Sequence, residues 1–246
     1  MRLSSPKMNV MHKACMKASK SLIRDFGEVE KLQVSSKGPG DFVSAADRKA
    51  EKIIIEELLK ANSSYGVLSE EAGEINKNNK NNRWIIDPID GTLNFMHGIP
   101  HFAISIALKS NDEIISGLIF DPIKDEMFYA EKDNGAFLNN HRARVSKKNK
   151  INDCIFATSG KINKELDLHY RKSGSAALDM AYVAVGRYDG YFQRELNLWD
   201  IAAGIIIINE AGGLINKIDL SQTKNLDVIT STPDIHQKML KKIDNF

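Results

Sequence analysis

The chain predicts an α+β fold of stacked sheet and helix layers, and three features of its patterning lead there. Residues 101–131 read as consecutive strands joined by short turns, the pattern of an antiparallel meander. Residues 155–246 instead alternate strand-like and helix-like stretches. No repeat and no low-complexity linker separates the two patterns, so they are expected to share an interface. Two subdomains are therefore expected, at 1–145 and 146–246 of one compact unit, with a ligand cleft where they meet.

The elements follow in order. Met8, Met11, Cys15, Ala18, Leu22 and Phe26 recur at gaps of three and four, which describes one face of a helix starting after Pro6. A second helix is expected from Ala45 to Lys60, burying Ala46, Ala50, Ile53, Ile54 and Leu58. Strands follow at Tyr65–Ser69 and Arg83–Asp87, separated by a polar Asn/Lys tract at Asn76–Asn82 that reads as an exposed loop. The meander comprises Phe102–Leu108, Ile114–Phe120 and Met127–Ala130. Beyond it we expect strands at Ile155–Ser159, Gly190–Gln193, Leu214–Ile218 and Asp227–Ser231. Helices are expected at Ser175–Gly186, Trp199–Ala211 and from Pro233 onward.

Bulk properties narrow the function classes. With 246 residues, 42% apolar, the chain can bury a sizeable core. A formal net charge of +2 gives no electrostatic case for a nucleic-acid or membrane partner. Two cysteines, Cys15 and Cys154, make no disulfide framework and fit packing in a reducing, cytoplasmic setting. Residues 1–7 lead into no apolar core, so no secretory leader is expected. The longest apolar run, Ile201–Ile208, is too short to span a bilayer.

The chemistry concentrates in Trp84–Thr92. An apolar run ends on Asp87, Pro88 is expected to stop the strand ladder, and Asp90 follows just before Gly91 and Thr92. Two carboxylates this close raise each other's pKa unless a cation sits between them. Oxygen ligands without His or Cys nearby favour a hard ion such as Mg²⁺. Glu70 after one strand and Asp200 at a helix start are both placed to reach the same cleft. Taken singly, Asp200 fits a helix cap as well as a ligand, and Glu70-Glu71 fits a solvated turn. Gly91 permits close backbone approach, and the amides after it can receive phosphate oxygens.

These segments carry a resemblance. Asp41–Asp47, Leu68–Glu71, Trp84–Phe95, Gly174–Leu178 and Trp199–Gly204, in this order, are similar to the signatures of the inositol monophosphatase family of metal-dependent, lithium-sensitive phosphatases. The resemblance spans nearly the whole chain and implies that family's layered α-β-α-β-α sandwich. It implies a phosphoric monoester hydrolase that converts inositol monophosphate to inositol and phosphate, with other sugar, polyol or nucleotide phosphates, or fructose 1,6-bisphosphate, as alternatives. By the family pattern Glu70, Asp87 and the Ile89 carbonyl bind one Mg²⁺, while Asp87, Asp90 and Asp200 bind another. Glu70 also helps to hold a weaker third, so about two to three ions are implied, with Mn²⁺ as a substitute. Thr92 with Asp47, and Glu70, are the implied catalytic residues that orient or activate water. Asp47 also reads as an acidic charge at a helix N-terminus. The amides of Gly91 and Thr92 receive phosphate, while Gly174, Ser175, Ala176 and Gln193, with Asp90 and Asp200, face the substrate. Lys37 matches a loop lysine that closes near the site. The resemblance further implies a homodimer, and some bacterial members also associate with transcription machinery, which the charge here does not favour.

Two departures stand out. Gln193 occupies the position where the family usually carries a substrate-binding glutamate; an amide accepts a hydroxyl but brings no charge. If that segment is a regular strand, Glu195 faces the same side as Gln193. A broadened or shifted substrate preference is therefore expected. Residues 159–173 form a shorter connection than the family's, in a region near its dimer interface.

Overall fold

Apolar residues spaced by three and four build the outermost layer. α1 (Pro6–Leu32) fully buries Met8, Met11, Cys15, Ala18 and Leu22, the face that the spacing predicts. α2 (Pro39–Ala61) packs beside it and buries Ala46, Ala50, Ile54 and Leu58. It starts at Pro39 rather than near Ala45, since a proline is well accommodated in a first helical turn. The computed structural model describes residues 5–32, 39–76, 79, 81–160 and 167–243. No helix among them is long and apolar enough to cross a membrane.

Beneath these helices lies an eight-stranded sheet: β1 (Gly66–Ser69), β2 (Gly73–Ile75), β3 (Asn82–Asp90), β4 (Ala103–Ser110), β5 (Glu113–Asp121), β6 (Glu126–Glu131), β7 (Gly135–Leu138) and β8 (His141–Arg142). Its order is β2-β1-β3-β4-β5-β6-β7-β8. Every pair is antiparallel except β1 with β3, so the meander extends two strands beyond the predicted set. One short helix, α3 (Thr92–Met96), interrupts between β3 and β4.

The second half supplies a five-stranded sheet: β9 (Ile155–Ala157), β10 (His169–Arg171), β11 (Gly190–Leu196), β12 (Leu214–Ile215) and β13 (Leu226–Ser231), in the order β10-β9-β11-β13-β12. Three helices flank it: α4 (Ala176–Ala184), α5 (Leu198–Ala211) and α6 (His236–Ile243). α5 contacts β3 through β7 on one side and β12 on the other, and α4 packs on both α5 and β11. A helix enclosed from both sides must be apolar all round, and Ile201, Ala202, Ala203, Ile207 and Ile208 are all buried. Gly117 on β5 makes the approach possible: a Cβ there would stand 2.6 Å from Ile206 Cγ2 and 2.7 Å from the Ala203 carbonyl. α6 closes the far side over Cys154, Phe156 and Phe192. The layers therefore run α1/α2, large sheet, α4/α5, small sheet, α6, the α-β-α-β-α sandwich implied by the resemblance.

Two local expectations are corrected. Pro88 does not end the ladder; β3 continues to Asp90 through a register shift between Asp87 and Asp90. A proline without an N–H is tolerated where a bulge has already interrupted the pairing. Glu195 does not share a face with Gln193 by strand alternation, because β11 also shifts register between Gln193 and Leu196 and Glu195 adopts φ +58°. Part of the predicted short connection at 159–173 is itself strand, β10, paired parallel to β9.

Candidate active site

The bulge in β3 decides which way the carboxylates point. Residues three apart on a regular strand face opposite sides. Here Asp87 pairs with Ser105 and Asp90 with Ala103, two residues apart on β4, so the one extra residue restores parity. Both carboxylates thus emerge on one face. The strand end passes directly into a turn at Gly91, whose φ of +94° is left-handed. A Cβ at Gly91 would lie 3.1 Å from the His101 carbonyl and 3.3 Å from that of Gly174. The first amides of α3 follow, with no intrahelical acceptor.

Asp200 arrives from the middle layer. It is the third residue of α5, and its Oδ2 accepts the Asn197 amide at 2.7 Å, which closes the helix start. The capping reading holds, and the cap leaves Asp200 beside the other two acids. One oxygen from each of Asp87, Asp90 and Asp200 lies within 4.8 Å of the other two. Glu70, in the turn after β1, is close enough to Asp87 to raise its carboxyl. That turn is held by Glu51 of α2, which accepts the Ser69 hydroxyl and the amides of Glu71 and Ala72, both at 3.1 Å.

The electrostatics are those of uncompensated anions. Burial, then Asp90, Glu70, Asp200 and Asp47, push the Asp87 carboxyl well above the usual range. Burial raises Asp90 to about 7, against the Ser175 hydrogen bond that lowers it. Burial and Asp200 raise Glu70 to about 7; the residue is exposed, so water relaxes this shift most readily. Asp200 is raised to about 6 and Asp47 to about 8, in both cases chiefly by burial. Oxygen donors alone, mutually repelling and held in place, fit a hard divalent cation.

Other predicted residues fall around this cluster. Thr92 Oγ1 donates to the Ile89 carbonyl at 2.9 Å, so its proton does not go to Asp47. Asp47 is buried with Oδ1 unpartnered, and as the ninth residue of α2 it lies too deep in the helix for a dipole explanation. Ser175 caps α4 and gives its hydroxyl to Asp90 Oδ2, which also accepts the Ala177 amide at 3.0 Å. Ser175 and Ala176 are buried, whereas Gly174 is exposed and donates its amide to Ser159 Oγ at 3.1 Å. Gln193 Oε1 accepts from the Tyr191 hydroxyl at 2.9 Å and the Ser159 amide at 3.2 Å. Lys37 lies outside the described residues. Sequence reasoning missed Glu51, and it read Ser175 only as a substrate contact. A buried acid on the inner face of a helix and a serine opening one were the available signals.

Known proteins resemble this chain over most of its length. The model of the inositol monophosphatase family matches residues 5–245. An inositol-1-monophosphatase of Rhizobium meliloti is 52% identical over 221 residues, covering 84% of this chain and 83% of its own. A Nus factor SuhB of Xylella fastidiosa is 39% identical over 87% of this chain and 82% of its own. The crystal structure of extragenic suppressor protein suhB from Bartonella henselae superposes with a TM-score of 0.86 at 45% identity, covering 98% of this chain and 99% of that one.

Proposed function

The chain belongs to the inositol monophosphatase family of phosphoric monoester hydrolases, and on that premise we propose that it hydrolyses inositol monophosphate to inositol and phosphate in a Mg²⁺-dependent reaction. One observation carries the reading: among the described residues, one oxygen from each of Asp87, Asp90 and Asp200 lies within 4.8 Å of the other two, and the neighbouring acids raise the Asp87 carboxyl. A close relative named inositol-1-monophosphatase supports the substrate.

Glu70, Asp87, the Ile89 carbonyl, Asp90 and Asp200 would hold about two to three Mg²⁺ ions, or Mn²⁺ in their place. Bound there, such ions acidify a coordinated water and offset charge on the leaving ester oxygen. The protein's own part is positioning. Ser175 and Ala177 fix Asp90, Asn197 fixes Asp200, and Glu51 fixes the Glu70 turn. Thr92 and Asp47 would orient the attacking water, and Asp47 Oδ1 has no hydrogen-bond partner within the protein. The amides of Gly91 and Thr92 receive phosphate oxygens. Gly174 and Gln193 form the rim that meets the alcohol, with Ser175 and Ala176 supporting it from below. Water breaks the P–O bond directly, so no serine or cysteine nucleophile takes part.

Phosphate release from inositol 1-phosphate, with Mg²⁺ and again after chelation, tests this. Metal-dependent turnover of inositol 1-phosphate is expected, and kcat/KM for sugar and nucleotide monophosphates and fructose 1,6-bisphosphate reads how far Gln193 broadens the preference. No turnover at any Mg²⁺ concentration refutes it, and a different optimum reassigns the substrate.

A second reading rests on the relative named Nus factor SuhB. Binding to transcription machinery would then accompany catalysis. Capture of transcription proteins equally by the wild type and by Asp87→Asn would separate binding from turnover; capture by neither removes this reading.

A further inference from the structure

A buried carboxyl that the proposed chemistry does not use lies beside the site. Asp179, in the first turn of α4, is wholly buried. Its Oδ1 accepts the Ser173 hydroxyl at 2.6 Å, and its Oδ2 has no hydrogen-bond partner. Burial also keeps this carboxyl well above the ordinary aspartate range. An apolar side chain would avoid the orphaned oxygen, so packing does not account for an acid here.

One turn joins Asp179 to the carboxylate cluster. Ser173 Oγ, held by Asp179, also accepts the Ser175 amide at 3.3 Å. The Ser173 carbonyl accepts Asn94 Nδ2 at 2.8 Å. Ser175 then gives its hydroxyl to Asp90. Between the two serines Gly174 sits at φ +84°, a conformation open to glycine but not enforced by it. The turn therefore takes its shape from two side chains, Asn94 on the carbonyl side and Asp179 on the hydroxyl side.

We propose that Asp179 is a positioning residue, fixing the Ser173–Ser175 turn through the Ser173 hydroxyl so that Ser175 holds Asp90 ready for a divalent cation. This rests on the metal-dependent reading above. The role needs an acceptor at Oδ1 and not a negative charge, which asparagine preserves and alanine removes.

Isothermal titration of metal-free protein with Mn²⁺ tests it, on the wild type, Ser173→Ala, Asp179→Ala and Asp179→Asn. Wild type that binds no Mn²⁺ sinks the metal reading itself, before any variant is compared. With wild type binding, Ser173→Ala and Asp179→Ala should each weaken Mn²⁺ by about tenfold, the range for a residue behind a ligand. Asp179→Asn should stay within about threefold of wild type. Circular dichroism checks that each variant is folded; if Asp179→Ala is not, Ser173→Ala, at a half-buried position, still decides. Ser173→Ala binding Mn²⁺ as wild type does, or Asp179→Asn failing as badly as Asp179→Ala, overturns the proposal.

Discussion

Replacing Asp90 by asparagine should stabilise the metal-free protein while abolishing turnover. Asp90 is 6% exposed, and burial, with Asp200 and Glu70 acting in the same direction, lifts its carboxyl from 3.8 to about 7. The folded state thus keeps a proton that the unfolded state has lost between roughly pH 4 and pH 7. Stability falls as pH rises across that window and levels off above it. At 1.36 kcal/mol per unit, ionised Asp90 costs the fold at most about 4 kcal/mol at about pH 8. Asparagine has the same shape, and its Oδ1 can accept from both Ser175 and Ala177, so the penalty disappears while the clamps remain. For a chain this size 1 kcal/mol moves Tm by about 2–4 °C, which predicts a rise of at most roughly 8–16 °C in chelator at about pH 8. The rise should shrink to a small remainder at about pH 4, where the wild-type carboxyl is protonated in the folded state and about half protonated in the unfolded one. Scanning calorimetry in EDTA across this range, paired with phosphate release in Mg²⁺, measures both halves. A Tm no higher than wild type at the alkaline end, or a rise of equal size at both ends, refutes the reasoning.

Further outcomes follow from the same geometry. Asp87→Asn should lower kcat/KM by at least about a thousandfold at saturating Mg²⁺ with the circular dichroism spectrum intact, since it removes a carboxylate that clusters with Asp90 and Asp200; loss of less than about tenfold contradicts its role. Gly91→Ala must adopt φ +94° with its Cβ 3.1 Å from the His101 carbonyl. It should lose about 1–2 kcal/mol for the left-handed backbone alone, and calorimetry should show a lower Tm together with a raised KM. Gln193→Glu can keep both hydrogen bonds, from Tyr191 and Ser159, and adds a charge at the rim. A substrate panel should show it narrowing toward polyol phosphates, and an unchanged ranking would mean Gln193 does not set preference.

The legible parts of the fold are those in which many residues repeat one constraint. α1 announced itself through Met8, Met11, Cys15, Ala18 and Leu22, each buried for the same reason. α5 was legible from the apolar run Ile201–Ile208 within it, as an enclosed helix should be. Elements of two to five residues, such as β8, β10, β12 and α3, offer no full period, and of these only β12 was anticipated, within a longer strand. In the site, Asp87, Asp90 and Asp200 could be found because acids ending apolar runs are conspicuous. Ser175 could not be assigned to Asp90, because the turn that carries it is also held by Asn94, far away in sequence. Pro88 misled for a definite reason: it removes one donor from the ladder, and whether that ends a strand or marks a bulge depends on β4.

That bulge joins architecture to chemistry. Asp87 and Asp90 share a face only because one extra residue lies between their partners' positions on β4. Asp200 meets them from a different layer, so its distance is set by how closely α5 lies on the large sheet. Gly117 sets that distance at Ala203, one turn beyond Asp200, where a single methyl has no room. Repulsion among the carboxylates opposes this convergence. It persists because the groups are carried by a twice-buried helix and a sheet strand, elements that cannot yield locally without exposing the core. A rigid anionic cluster is expensive for an empty fold and well suited to one that binds a cation, and that balance is why the asparagine at position 90 is expected to gain stability and lose function together.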